Sequence, residues 1–302
     1  VKFSIVTTSY NSGAYIGEAI ESAWRQRGDV PAFEHIIADA ASTDSTAAVL
    51  ANYPHLDVDS RKDLGIYDGM NRAIARASGD IIVILNADDV LPDGALAAAR
   101  RAFEATDTDI VVGGFKLRTG REEAAERVYA PGKAPSYTGL LFGIPAINAR
   151  YIRRRVFENV GPFDLSYKLA ADRAWLIHAL AAGIASVAIR NALYVYRQHG
   201  GSATLSQTPE SARKIYAQHV GVCPLLAHKA DRDLGRAVRA FERMERLKLA
   251  IAEDLSSAPA ISATSKALAS ARHLAWSLAA HPIETSRGLY DWRRYQGRHA
   301  DN

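Results

Sequence analysis

Cysteine is almost missing: Cys223 is the sole one in 302 residues, which excludes an intrachain disulfide and a cysteine-rich zinc site and fits a reducing compartment. No run of about 18 apolar residues occurs, so no segment is expected to span a membrane. The N-terminus enters a strand-like run without the basic region, apolar core and cleavage site of a signal peptide. The first strand-turn-helix pattern turns through Ser9-Tyr10-Asn11-Ser12-Gly13 and lacks G-x-G-x-x-G, which disfavours a nicotinamide or flavin enzyme. A Gly-rich, basic phosphate loop is also missing near the N-terminus, which disfavours a nucleotidyltransferase. A net charge of +4 is too small to argue for nucleic acid. Its distribution is uneven, however: after Pro209, Lys and Arg outnumber Asp and Glu by roughly three to two.

What is present is the composition of an ordinary soluble globular protein, 48% hydrophobic and 23% charged, long enough for one large domain or a catalytic domain with an appendage. The most informative stretch is Gly79-Asp80-Ile81-Ile82-Val83-Ile84-Leu85-Asn86-Ala87-Asp88-Asp89. Its continuous apolar run predicts a strand covered on both faces, as in a parallel sheet, with carboxylates delivered to its tip. Ligands bind beyond the carboxyl ends of such strands, and paired carboxylates there suit Mg²⁺ or Mn²⁺ carrying a diphosphate. The alternative is that Asp88 and Asp89 cap a helix beginning near Pro92.

In chain order, Lys2 to Ser9 reads as a strand, Ala14 to Gln26 as a helix, and Glu34 to Asp39 as a second strand ending in an acid. Ala41 to Thr46 supplies N-cap material for a helix through Leu50. Asp63, Asp68 and Asn71 lie in a Gly-punctuated loop leading into a short helix that stops at Gly79. Strands alternating with helices predict an α/β chain with a largely parallel sheet. Ala134 to Ala149, uncharged but broken by Pro135, Gly139, Gly143, Pro145 and Asn148, reads as a loop. Tyr151 to Val160 is expected to be helical, with Arg153, Arg154 and Arg155 on a solvated face or against an acceptor phosphate.

The segments SIVTTSYN, IIADAASTDST, DLGIYDGMNRAI, GDIIVILNADD, VGPFDLSYKLAADRAWL and YRQHGGSAT stand in an order and spacing that resembles the family-2 inverting glycosyltransferases of the GT-A fold. The similarity covers residues 1 to about 205 and implies a GT-A-like catalytic domain over 1–207, followed by a helical, basic region over 208–302. It implies a cytoplasmic enzyme that moves a sugar from a nucleotide-diphosphate sugar, a UDP-sugar above all, to a glycan or lipid-linked glycan acceptor, using Mn²⁺ or Mg²⁺, in surface polysaccharide or glycan biosynthesis. Carried over, Ser9 and Tyr10 touch the nucleoside, Asp39 reads the base edge, and Asp63 and Asn71 close around nucleotide and donor. Asp39 can accept from uracil or guanine alike, so it does not identify the base. The usual D-x-D has Asn86 in its first position, leaving Asp88 as the direct metal ligand, Asp89 as a ligand or a supporting residue, and Asn86 as a neutral carbonyl.

Asp172, near the start of an apolar helix, is the general base implied by the resemblance, with N-capping as the alternative. His199 is placed at the metal or diphosphate, or is an ordinary loop histidine. Besides Asn86, two positions depart from the family pattern: Ala40 stands where a second acid is common, and Asn148 where relatives often carry a histidine. Ala40 and Asn86 keep open a degenerate nucleotide-sugar-binding protein that organises an assembly. Beyond Pro209, Leu234, Val238, Phe241, Met244, Leu247, Ile251 and Leu255 recur at helical spacing opposite Arg236, Arg239, Arg243 and Arg246. Leu268, Ala271, Ala275 and Leu278 suggest another helix, before Trp292-Arg293-Arg294-Tyr295. Such helices pack on the catalytic domain, pair in a homodimer, or make peripheral contact with the inner face of the cell membrane.

Overall fold

A computed structural model describes residues 1–30, 32–119, 126–131, 136–199, 209–228 and 232–257. The first half alternates strand and helix: β1 (Phe3–Ser9), α1 (Ile16–Arg25), β2 (Phe33–Asp39), α2 (Thr46–Leu50), β3 (Leu56–Ser60), α3 (Ile66–Arg76), β4 (Ile81–Ile84) and α4 (Ala95–Ala105). The second is less regular: β5 (Ile110–Thr119), β6 (Glu126–Tyr129), α5 (Tyr137–Phe142), β7 (Arg150–Arg153), α6 (Arg154–Val160), α7 (Ala171–Ala181), β8 (Ser186–Gln198), α8 (Pro209–His228) and α9 (Arg232–Ser257). The strands form one sheet in the order β3-β2-β1-β4-β7-β5-β6, with β8 paired to β5. β1 to β4 are mutually parallel, as is β5 with β8, whereas β7 runs antiparallel between β4 and β5.

Both faces of the centre are covered because the pleat sends alternate side chains to opposite sides. Ile82 and Ile84 of β4 and Val6 of β1 enter a core with Met70 and Ile74 of α3 and Trp175 and Ile177 of α7. Ile81 and Val83, with Phe3 and Ile5, enter the other, against Leu96, Ala99 and Phe103 of α4. The apolar stripe of α1 places Ile16, Ala19, Ile20 and Ala23 inward at helical intervals. Val222, Cys223 and Leu226 of α8 and Leu234, Val238 and Phe241 of α9 belong to the same core as Trp175. Phe142 of α5 meets Phe241 edge-on at 5.5 Å. Among the described residues no helix is long and apolar enough to cross a membrane.

Two local expectations are corrected. Arg150–Arg153 is a strand, not the first turn of a helix; Tyr151 is fully buried and its hydroxyl donates to Leu193 O. Arg155 is exposed, and Arg154 is partly open to solvent where it pairs with Glu158, as on a solvated face; Arg153, Arg154 and Arg155 also donate to Thr108 O, Gly79 O and the Asp109 carboxylate, at the end of the sheet remote from the tip of β4. The stretch expected as a loop contains α5, whose Leu140 and Leu141 are buried. Ser202, Ala203 and Thr204, the helix suggested around Leu268 to Leu278 and the Trp292–Tyr295 segment lie outside the described residues.

Candidate active site

The loops after β1 and β2 form the first wall. Asn11 N donates to Ser42 Oγ at 2.8 Å, Thr43 N to Asn11 Oδ1 at 2.9 Å, and Gly13 N to Asp44 Oδ2 at 3.0 Å, zipping the two loops together. Asp39 ends β2 opposite Ser9 and is buried. Its Oδ1 accepts from Ser42 Oγ at 2.5 Å, and its Oδ2 from Ser42 N at 3.0 Å and Ser60 Oγ at 2.7 Å. A carboxylate offers about four acceptor positions, so roughly one is left for a base edge. Ser9 is buried with its hydroxyl unpartnered among the described residues, whereas Tyr10, the next residue, is 65% exposed.

At the tip of β4, Asp88 and His199 come together: His199 Nε2 lies 2.9 Å from Asp88 Oδ2 across 111 positions of sequence. Both side chains are partly open to solvent, at 32% and 20% exposure, and Asp88 Oδ1 has no protein donor among the described residues. Asp89 is different. It is buried, and its carboxylate accepts from Tyr194 OH at 2.8 Å, Arg197 N at 2.7 Å and Asn86 Nδ2 at 3.0 Å. Burial, reinforced by the neighbouring Asp88 charge, raises its carboxyl to about 7, against the pull of those donors. Both Asp89 oxygens are thus engaged by protein donors, in contrast to Asp88 Oδ1. Neither acid caps α4, whose N-cap is Gly94 without a side-chain bond. The loop is clasped by β8 through reciprocal Val90 and Val195 backbone bonds of 3.2 and 3.0 Å.

Asn86 also faces inward. Its N–H donates to Tyr194 OH at 3.0 Å, and its Oδ1 accepts from Asn148 Nδ2 at 3.3 Å, so the carbonyl expected for a metal is already engaged. Asn148 itself accepts from Tyr196 OH at 3.3 Å. Burial, then the charges of Asp89 and Asp172, pushes the Tyr196 hydroxyl well above its ordinary range, so it remains a donor. The hydroxyls of Tyr194 and Tyr196, the amide of Asn148 and the carboxylate of Asp89 form one buried polar network beneath the Asp88–His199 pair.

Two expected residues stand at the loop before α3 and within α3 itself. Asn71, inside α3, is bonded to the backbone of Phe163: its Nδ2 donates to Phe163 O and its Oδ1 accepts from Phe163 N, both at 2.9 Å. Asp63 accepts from Gly65 N at 3.0 Å and lies 3.8 Å from Arg72, with its side chain 11% exposed. Both residues thus brace loops through protein partners. Asp172, by contrast, remains available. It lies inside α7, after the N-cap Ala170, and is half-buried. Oδ1 accepts from Tyr67 OH at 3.0 Å and Arg173 N at 2.8 Å, while Oδ2 has no donor among the described residues. Burial, with Asp172's charge second, raises Tyr67 far above the ordinary phenol range, so Tyr67 holds the carboxylate as a donor without deprotonating. The adjacent Arg173 is buried and donates to the carbonyls of Leu140, Leu141 and Gly143, fixing α7 to α5.

Of the expected site residues, Asp88 and His199 converge, Asp39 and Tyr10 share a wall, Asp172 stands on α7, and Asn71, Asp63, Asn86 and Asp89 are turned to protein partners. Sequence reasoning missed Tyr67, Tyr194, Tyr196 and Arg197. The alternation in Leu193-Tyr194-Val195-Tyr196-Arg197 was the available signal for the last three.

Among the described residues no three His, Cys, Asp or Glu side chains converge on a cation. A metal fits nonetheless as a two-ligand site, because Mg²⁺-like ions are commonly held by one or two side chains together with substrate phosphates and water. The Asp88–His199 pair offers a carboxylate oxygen and an imidazole nitrogen at an open rim.

Comparison with known proteins agrees with this architecture. A family model described as glycosyl transferase family 2 matches residues 4–166. A PGL/p-HBAD biosynthesis glycosyltransferase of Mycobacterium tuberculosis is 31% identical over 179 residues, covering 56% of this chain and 66% of that protein. The chain thus spans just under two thirds of that relative. An uncharacterized glycosyltransferase of Nostoc is 24% identical over 237 residues, covering 74% of this chain and 72% of that one. In fold, S. aureus TarS 1-349 in complex with UDP-GlcNAc superposes with a TM-score of 0.63 at 15% identity, over 98% of this chain and 91% of that one. The mannosyltransferase PcManGT of Pyrobaculum calidifontis, in complex with GDP-Man and Mn²⁺, gives 0.61 at 17% identity, over 96% and 84%. With α/β layers matching those of GT-A glycosyltransferases and a family match across more than half its length, the chain belongs to glycosyl transferase family 2.

Proposed function

We propose that this chain transfers a sugar from a nucleotide-diphosphate sugar, with UDP as the leading carrier, to an acceptor hydroxyl with inversion, in the assembly of a surface polysaccharide or glycan. The observation that carries the reading is the pairing of Asp88 Oδ2 with His199 Nε2 at the tip of β4, at a sheet edge that also bears Asp39. Asp88 and His199 would hold Mn²⁺ or Mg²⁺ beside the donor's diphosphate. Such an ion supplies positive charge to the departing phosphate. Tyr10 lies against the nucleoside and the remaining acceptor position of Asp39 takes an N–H of the base. UDP-GlcNAc and GDP-Man in the similar structures support a nucleotide sugar as donor.

Asp172 acts as general base through Oδ2, the oxygen that Tyr67 and Arg173 leave open. The acceptor O–H proton passes to this carboxylate, the oxygen bonds to the anomeric carbon, and the carbon–phosphate oxygen bond breaks with its electron pair leaving on the nucleoside diphosphate. Attack opposite the leaving group inverts the centre. A binding protein without catalysis shares the donor contacts but needs no proton acceptor. The test is release of nucleoside diphosphate from UDP- and GDP-sugars with Mn²⁺ and a panel of glycan and lipid-linked acceptors. Acceptor-dependent release supports transfer, whereas donor binding without release across the panel supports the binding protein.

A further inference from the structure

His199 directly follows β8, and its ring is held from two sides. Its Nε2 meets Asp88, and its face stacks on Tyr15 with centroids 4.7 Å apart and planes inclined by 21°. Tyr15 stands immediately before α1, where its N–H donates to Ser12 O at 2.9 Å and its carbonyl accepts from Glu18 N at 3.0 Å, so the ring projects from a fixed backbone. The same ring lies 5.3 Å from the Arg197 guanidinium. Arg197 Nη2 pairs in turn with Glu18 at 2.6 Å, and Arg118 approaches Glu18 at 3.6 Å. The backbone N–H of Arg197 reaches Asp89. The first turn of α1 and the last residues of β8 are thereby joined on either side of Tyr15, although 184 positions separate Tyr15 from His199 in sequence.

We propose that Tyr15 is a positioning residue that holds the His199 imidazole against Asp88, so that both present their ligand atoms together. The inference rests on the reading of Asp88 and His199 as the cation pair. An imidazole at a strand end has two torsions to lose on binding. A stacked ring on a rigid turn removes that freedom beforehand, as outer partners of metal-binding histidines generally do. Arg197 and Glu18 keep Tyr15 itself in place.

The test is titration of Mn²⁺ alone into the full chain, with free ion read by electron paramagnetic resonance. Tyr15→Leu is expected to weaken Mn²⁺ binding by about tenfold, a loss typical of outer-partner removal, and His199→Ala by at least as much. Tyr15→Phe keeps the ring and is expected to stay within about twofold. The double variant Tyr15→Leu/His199→Ala should bind no more weakly than His199→Ala, because the two side chains act as one unit. If Tyr15→Leu does not melt cooperatively, Tyr15→Met takes its place with the same expectation. Binding weakened by His199→Ala but not by Tyr15→Leu, or losses that multiply in the double variant, overturns this inference alone. No Mn²⁺ binding by the unaltered chain, either alone or with UDP present, overturns the cation reading and the inference with it.

Discussion

Substituting Asn71 by Asp separates a loop brace from a donor contact with a change of one atom type. In the native chain the Asn71 amide meets the Phe163 backbone as a neighbouring strand would, giving one bond to its carbonyl and taking one from its N–H, both at 2.9 Å. An aspartate keeps the acceptor half and loses the donor half, setting a carboxylate oxygen against the Phe163 carbonyl. Phe163 is 1% exposed and packs against Phe157 and Trp175, so little water reaches the orphaned oxygen. Leaving such a group unpaired costs about 1–3 kcal/mol, which for a chain of this size lowers the melting temperature by several degrees, on the order of 2–4 °C per kcal/mol. Urea denaturation gives the stability, amide hydrogen exchange of Phe163 and its neighbours the local opening, and calorimetry with UDP the donor affinity. The expected result is a loss of stability, faster exchange across the Gly161–Asp164 loop and unchanged UDP affinity. Unchanged stability and exchange with weakened UDP binding would refute the brace and return Asn71 to the donor.

Asp88→Asn should remove most Mn²⁺ affinity and most transfer while sparing metal-independent UDP binding, measured by paramagnetic titration, product assay and calorimetry, because a neutral amide is a poor ligand for a hard cation. Asp172→Asn retains an Oδ1 acceptor for Tyr67 and Arg173, so stability and donor affinity should persist while nucleoside diphosphate release falls by roughly 10² to 10⁴-fold; transfer at the native rate would rule out the base. His35 is buried, and its pKa is lowered to about 3 by burial and, secondarily, by His55. It folds neutral and charges on unfolding, so its contribution is complete above pH 6.5 and declines by about 1.4 kcal/mol per pH unit as pH falls toward 3. Between pH 6.5 and 5, urea denaturation should show about 2 kcal/mol more loss in the native chain than in His35→Gln; parallel curves would contradict this.

The parallel half was legible because its signals are local. A fully apolar β4 ending in acids can be read without knowing what lies beside it, and Asp88 at the tip follows from that strand alone. Asn71 was ambiguous because an amide serves a ligand or a backbone equally well, and only the fold reveals Phe163, 92 positions away, as a partner. Asp89 illustrates the same difficulty from the acid side: its donors Tyr194 and Arg197 arrive on a strand more than 100 positions later. Tyr151 and Ile152 followed by Val156 and Phe157 suit a helix or a short buried strand, and length alone did not arbitrate. β3, with Asp57 and Asp59 alternating with apolar residues, escaped notice because its acids are paired with Arg76 and Arg72.

The junction of β5 and β8 has a consequence for how this site tolerates change. Between Val112↔Ala188 and Phe115↔Tyr194, β5 advances by three residues and β8 by six. The surplus is odd, so β8 leaves the irregularity with its two faces exchanged. Before it, Val187 and Ile189 turn to the core; after it, Tyr194 and Tyr196 do. Leu193 lies over this kink, where a methyl group on Gly113 would sit 2.2 Å from its Cγ, so the Leu193 side chain takes this place only because position 113 is glycine. The surplus therefore acts as a phase setting for everything downstream. Removing one residue between Ile189 and Ala192 would send the two tyrosines outward, strip Asp89 of its hydroxyl donor and carry His199 away from Asp88, whereas removing two preserves the phase. Length in this strand is constrained by parity, and the candidate site inherits that constraint from a bend lying outside it.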